Sequence, residues 1–317
     1  MSQSTALAAA PPRRVLLLLL VATLAWAAIE ALGALLPDHP SGYQVVWMRY
    51  GFHVLALLVV FGPRYRTGLW RTRRLPLQLL RGLFMLGMSI AFVLSVRRLP
   101  VAGVWSVFWL APLLALALAA VVLHERTGWG TWLAAVAAYA GALILLQADR
   151  SLLSPAAVLP LGMAVCFALY VLACRLLRDE AILPSLFYTG LAVFLPLCAI
   201  MPRVWRPVGW VTGVEVAAIG ILGLLLLYCL DKALELAALG TAAPLLLAAP
   251  LWGALLESLH PEAYAPARLI LGGVIVLGSL AALWLVQTRR PAAAPAGPIA
   301  DGGQTRGDAD QPSLRST

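Results

Sequence analysis

Ten apolar runs, each about 17 to 25 residues long, follow one another along the chain with short polar links between them, and this pattern limits the fold more than any other feature. Hydrocarbon offers no water to take up backbone N–H and C=O groups. Each run must satisfy its own, which an α-helix does while rising about 1.5 Å per residue across about 30 Å. The predicted spans are 15–36, 43–61, 77–96, 102–123 and 129–147, then 156–177, 183–201, 214–234, 239–259 and 267–287. A mean hydropathy of +0.90, with 62% hydrophobic and 12% charged residues, excludes a soluble domain. The first run is too long for the h-region of a cleaved signal peptide, about 7 to 15 residues. Past Arg290 the sequence has no aromatic residue and only one Ile and one Leu, so that tail is predicted to be disordered.

The net charge of +9 invites a nucleic-acid partner, but the basic residues sort by side of the membrane. With the amino terminus inside, 16 of the 23 lie on the cytoplasmic side, including six in the second loop and its exit, Arg81 among them. Six lie outside, and Arg49 lies within a span. Such asymmetry orients a chain, so both termini are predicted cytoplasmic. The basic stretch "RYRTGLWRTRR" is read as contacting anionic membrane lipid, and no nucleic acid is expected.

Placing Pro112 over Pro250, an offset of 138, brings the third to fifth runs onto the eighth to tenth without a gap, with "WLAPLLALAL" over "LAAPLWGALL". The first two runs overlay the sixth and seventh once the offset changes by several residues, as with "LAW" at 24–26 on "ALY" at 168–170. Five crossings per unit is an odd number, so the second unit passes through the membrane upside down. Many secondary transporters use that design to expose one midplane site to either side in turn. Chance similarity between Leu- and Ala-rich helices is the competing reading. The predicted fold is an all-α polytopic membrane protein with ten transmembrane helices as two inverted five-helix repeats. Its parts are a cytoplasmic N-terminus (1–14), a first repeat (15–147), a linker (148–155), a second repeat (156–287) and a disordered cytoplasmic tail (288–317).

Cys166, Cys174, Cys198 and Cys229 all fall within predicted spans without CxxC spacing, which reads as small buried hydrophobes rather than metal or disulfide chemistry. His39, His53, His124 and His260 are scattered, and there is no HExxH, Gly-x-Ser-x-Gly or Walker-type loop. No enzyme activity, catalytic residue, metal or cofactor is expected.

Charges inside a span are costly and mark function by default. Glu30 and Arg49 stand about 10 Å and 9 Å from the predicted outer ends of consecutive antiparallel helices, which predicts an ion pair. Trp26 and His53 lie one turn deeper, and the four would form a polar wall reaching about the midplane. Two readings are open: a structural lock, or a site for a zwitterionic or charged substrate with Glu30 or His53 taking up a proton. In the fourth helix Trp105, Phe108 and Trp109 share a face. They read either as lipid-facing rings or as a stacking wall for a flat or cationic ligand. Tyr170, Tyr228 and Trp252 are further substrate-binding candidates from the second repeat. Asp231, Lys232 and Glu235 pair with one another or form an inner gate. Small residues (Ala134, Ala138, Ala142; Gly272, Gly273, Gly278) give the fifth and tenth helices close-packing faces, suited to scaffold and to a homodimer contact.

The stretch 73–145 resembles the first repeat of an EamA-type transporter of the drug/metabolite transporter superfamily. The likeness is carried by Arg81-Gly82 entering the third helix, Leu99-Pro100 before the fourth, Pro112 within it, and Glu125-Arg126 ahead of a Trp-rich start to the fifth. In the second repeat "AALGTAAP" and "HPEAYAPARLILGGVIVLG" look like the corresponding segments, with Glu262 near the place of Glu125. Covering about 15–287, the resemblance implies two EamA repeats, a central cavity, movement of small metabolites, and a bacterial inner (plasma) membrane. "LLRGLFMLGM" and "LPSLFYTGL" are most similar to a branch with S-adenosylmethionine uptake carriers, and the fourth and fifth helices also resemble riboflavin importers. Many members of that branch carry an acid and a lysine four apart in the first helix. Here Glu30 stands at the acidic place, Ala34 replaces the lysine, and Tyr170 stands where the sixth helix could carry an acid.

The function expected is secondary active transport of a small organic metabolite, amino-acid-like, S-adenosylmethionine-like or vitamin-like, by alternating access driven by the substrate gradient or by protons. A non-transporting receptor or assembly scaffold is the alternative, with an intramembrane enzyme behind it.

Overall fold

The computed structural model describes residues 13–258 and 266–288. Expectations for His260, Glu262, the tail past Thr288 and residues 1–12 lie outside the described residues. The long helices are α1 (Arg13–Ala34), α2 (Gly42–Val60), α3 (Leu75–Ser95), α4 (Val101–Val122) and α5 (Trp129–Leu145). They continue as α6 (Val158–Leu176), α7 (Ile182–Cys198), α8 (Trp210–Leu236), α9 (Leu239–Glu257) and α10 (Pro266–Thr288). Among the described residues eight are long and apolar enough to cross a membrane, while α5 and α7 are apolar but only 17 residues long.

Local chemistry sets the boundaries. Ser41 caps α2 by accepting the Gln44 N–H, and Pro76 sits in the first turn of α3, where no intrahelical N–H is needed. The fifth span ends two residues before its predicted limit. Gln147 takes a left-handed φ of 53°, and the bonds Ala148 N–H to Leu143 and Gln147 N–H to Ile144 close a Schellman cap. Two helices are broken within their length. Pro112 has no N–H for the Phe108 carbonyl, and α4 is interrupted at Trp109 and Leu110. In α9 a 3-10 stretch, Ala243–Ala248, holds Pro244 in its first turn and is followed by Pro250.

Polar contacts gather the links at two ends. At the distal end, where α1 finishes, Asp38 accepts from Gly209 N–H and Thr212 Oγ1, both at 2.6 Å, and Gln44 exchanges two hydrogen bonds with the Arg206 backbone. At the proximal end Glu180 accepts from Thr72 Oγ1 (2.9 Å) and Arg73 N–H (3.2 Å), and Tyr188 donates to the Trp70 carbonyl. Glu125, after α4, lies against the start of α9 at that same end.

Packing follows a matched set of pairs. Helix α1 lies on α8 as α3 lies on α6; α2 on α8 as α3 on α7; the last segment of α9 on α1 as the second segment of α4 on α6; and α2 meets α7 as α5 meets α10. Exchanging each helix with the one five places along maps this set onto itself. The α5–α10 pair uses the small-residue faces within the chain: a Cβ on Gly141 would meet Gly272 O at 3.0 Å, and one on Gly272 would meet Gly141 O at the same distance. Large apolar side chains such as Val59, Val121, Ile270 and Val274 face outward, as a lipid-bathed surface requires.

Candidate functional site

Both broken helices meet at the centre. A narrow cavity is lined by Ala22, Thr23 and Trp26 of α1, Trp109 at the break of α4, Leu226 and Leu230 of α8, and Leu246 and Ala249 at the break of α9. Trp26 stacks on Phe108 with ring centroids 5.4 Å apart, and touches Trp105, Trp109 and Phe167. The Trp105, Phe108 and Trp109 face therefore points into the bundle rather than to lipid, with Trp109 only 2% exposed. Trp252 of α9 donates its indole N–H to Thr23 Oγ1 at 3.2 Å, beside the cavity. Tyr228 points away and is 41% exposed.

The expected Glu30–Arg49 ion pair is absent among the described residues. The two helices diverge: α1 presents Glu30 toward Gly253 of α9 and to Trp26, while α2 lays the Arg49 guanidinium against Gly223 of α8 and near the Tyr50 ring. One Glu30 oxygen, Oε1, is left without a hydrogen-bond partner. His53 is buried against α7, its Nε2 3.2 Å from the Leu186 carbonyl and its ring stacked on Tyr50. Spacing along a helix does not fix the direction in which its face points. The polar wall is not formed.

A different charged centre lies toward the proximal end. Arg81 of α3, counted by sequence with the cytoplasmic loop, is 1% exposed. Its Nη2 donates to Asp231 Oδ2 of α8 at 2.5 Å and to the Tyr170 hydroxyl of α6 at 2.6 Å, and its guanidinium lies 4.8 Å from the Tyr170 ring centroid. All three residues sit about 7 to 9 Å inside the proximal ends of their helices. Arg81 Nε and Asp231 Oδ1 are buried without hydrogen-bond partners, and the Cys174 thiol faces the same carboxylate. Asp231 thus leaves the expected trio, and Lys232 pairs with Glu235 alone at 2.8 Å. Sequence reasoning missed Arg81 although a signal was present: the apolar run "LPLQLLRGLFMLGM" continues on both sides of it. The four cysteines are free.

At the α8–α9 junction Glu125 accepts the N–H groups of Leu239 (3.2 Å) and Gly240 (2.8 Å), satisfying the open donors at the start of α9. Arg175 Nη1 donates to the Leu234 carbonyl at the end of α8 and its Nε lies 3.6 Å from Glu125. The cavity's proximal side is closed by buried side chains, Leu230, Ala233 and Leu234 with the Arg81 centre, whereas Glu30, Arg49 and residues 86–92 of α3 stay partly exposed toward the distal end.

Residues 13–147 match the model of the EamA-like transporter family. The matched stretch spans α1 to α5. It includes the break of α4, and the eight described helices long and apolar enough to cross a membrane make the chain a multi-pass membrane protein. A solved structure named only as "Crystal structure of protein" is 21% identical, with a TM-score of 0.75 over 87% of this chain and 99% of that one, a likeness of fold. No curated protein matches the sequence.

Proposed function

We propose that the chain is a secondary active transporter that carries a small organic metabolite across the bacterial inner membrane by alternating access, with ten membrane helices in two inverted repeats and both termini cytoplasmic. The observation that carries this reading is the meeting of the two broken helices, one from each half, at a single central cavity. Discontinuous helices at a repeat interface are where transporters bind their cargo. The matched packing pairs support the repeat, since inverted halves would exchange in that way.

Trp26 and Trp109 give the cavity an aromatic side suited to flat or cationic groups, with Trp105 packed behind Trp26. That favours an S-adenosylmethionine-like or vitamin-like cargo over a small aliphatic amino acid. Thr23 lines the cavity and accepts from Trp252 beside it, and Glu30, near Trp26 and Gly253, remains a candidate for proton uptake, as does His53. The test is a thermal-shift screen of the purified protein against amino acids, S-adenosylmethionine, riboflavin, nucleosides and quaternary amines, followed by uptake of any stabilising compound into proteoliposomes. Saturable uptake supports the proposal; binding without flux in protein-containing vesicles would instead favour a receptor.

A further inference from the structure

The Arg81–Asp231 pair is buried where a hydrocarbon setting penalises each charge severely, and it joins α3 of one half to α6 and α8 of the other. Its geometry is incomplete. Nη2 meets Oδ2 end-on, so that Nε of the arginine and Oδ1 of the aspartate are both left buried and open. A purely structural pair gains most from a two-pronged fit with every lone pair used. The offset of 138 that superposes the halves puts Ile219 opposite Arg81 and Val93 opposite Asp231, and the helix-one alignment puts Trp26 opposite Tyr170. Only the proximal half of the bundle therefore has this charged lock; its distal counterpart is apolar.

We propose that Asp231 binds a proton during transport and that its protonation releases the lock that closes the proximal end. This rests on the transport reading. The step balances simply: Oδ1 takes a proton from hydronium, leaving water, the carboxylate becomes a neutral carboxylic acid, and Arg81 keeps its charge. An unpaired buried guanidinium then draws α3 away from α8 and α6 until water reaches it, and deprotonation on the other side restores the pair. The groups facing Asp231 are Arg81 from α3 and Tyr170 and Cys174 from α6. On its own helix Lys232 and Glu235 pair beside it, Arg175 of α6 holds the end of α8, and α2 brings His53 and Arg49 to the same region.

Cys174 offers a native reporter, being buried next to the carboxylate. In full-length protein with Cys166, Cys198 and Cys229 replaced by Ala, labelling of Cys174 by a neutral maleimide is followed in lipid nanodiscs from about pH 8 to about pH 4. Rates are divided by those of the unfolded protein at the same pH, which removes the pH dependence of an ordinary thiol and of the reagent. The corrected rate is expected to rise about tenfold on acidification. Asp231→Asn is expected to label fast at every pH, and the double variant Arg81→Gln with Asp231→Asn, which has no buried charge to hydrate, slowly at every pH. An infrared titration of the parent should show a carboxylic-acid band that Asp231→Asn lacks. A flat corrected rate in the parent, or no such band, overturns the proposal even if the single variant fails to fold. Neither readout needs a substrate, so failure here and failure of uptake are separate results.

Discussion

Glu125 accepts the Gly240 N–H at 2.8 Å and so ties the link after α4 to the first turn of α9. One carboxylate from the first half of the chain thereby caps a broken helix in the second. Replacing it with Ala removes two accepted N–H bonds and the partner of Arg175, and is expected to cost about 1–2 kcal/mol, read as a lower Tm. Glu125→Gln, which keeps an acceptor, should lose less.

At the distal end Asp38 is held below the ordinary aspartate pKa, first by the Thr212 hydroxyl and then by the Gly209 N–H. A group with a depressed folded pKa stabilises above its unfolded value, about 4, and loses that contribution as pH falls through the lower folded value. Asp38→Asn is therefore expected to lower Tm at pH 7 and to flatten the acid side of the Tm–pH profile below about pH 4. An unchanged profile would remove this link from the account.

Gly82 marks the closest approach of α3 to α7, where a Cβ would overlap the methyl of Ala192. Gly82→Ala should cost about 1–3 kcal/mol, and pairing it with Ala192→Gly should recover most of the loss in a double-mutant cycle.

Lys232 and Glu235 form a half-exposed pair one turn apart. Lys232→Ala is expected to change stability by less than about 0.5 kcal/mol, measured by thermal or denaturant unfolding. A larger loss would return these residues to the gate that the sequence suggested.

The helices were legible because backbone satisfaction in hydrocarbon leaves a long apolar run no other form, and boundaries moved mainly where caps act, as at Gln147. The inward face of Trp105 and Trp109 was legible as a face, though not its direction. The Glu30–Arg49 pair failed for the same reason: one-dimensional spacing gives depth, while partners depend on which helices adjoin, and α1 adjoins α8 and α9 more closely than α2. Arg81 was lost to a loop count that its apolar flanks, Leu80 and Leu83, argue against.

The central claim is that cargo binds in the cavity between α1, α4, α8 and α9. It is tested most directly by filling that cavity with Ala249→Leu and measuring uptake, in proteoliposomes, of the compound that most stabilises the parent. The account predicts that uptake and ligand stabilisation are lost while the ligand-free Tm stays within a few degrees of the parent, roughly the change expected of about 1 kcal/mol. Undiminished uptake by a folded Ala249→Leu protein would contradict it and move the substrate path elsewhere.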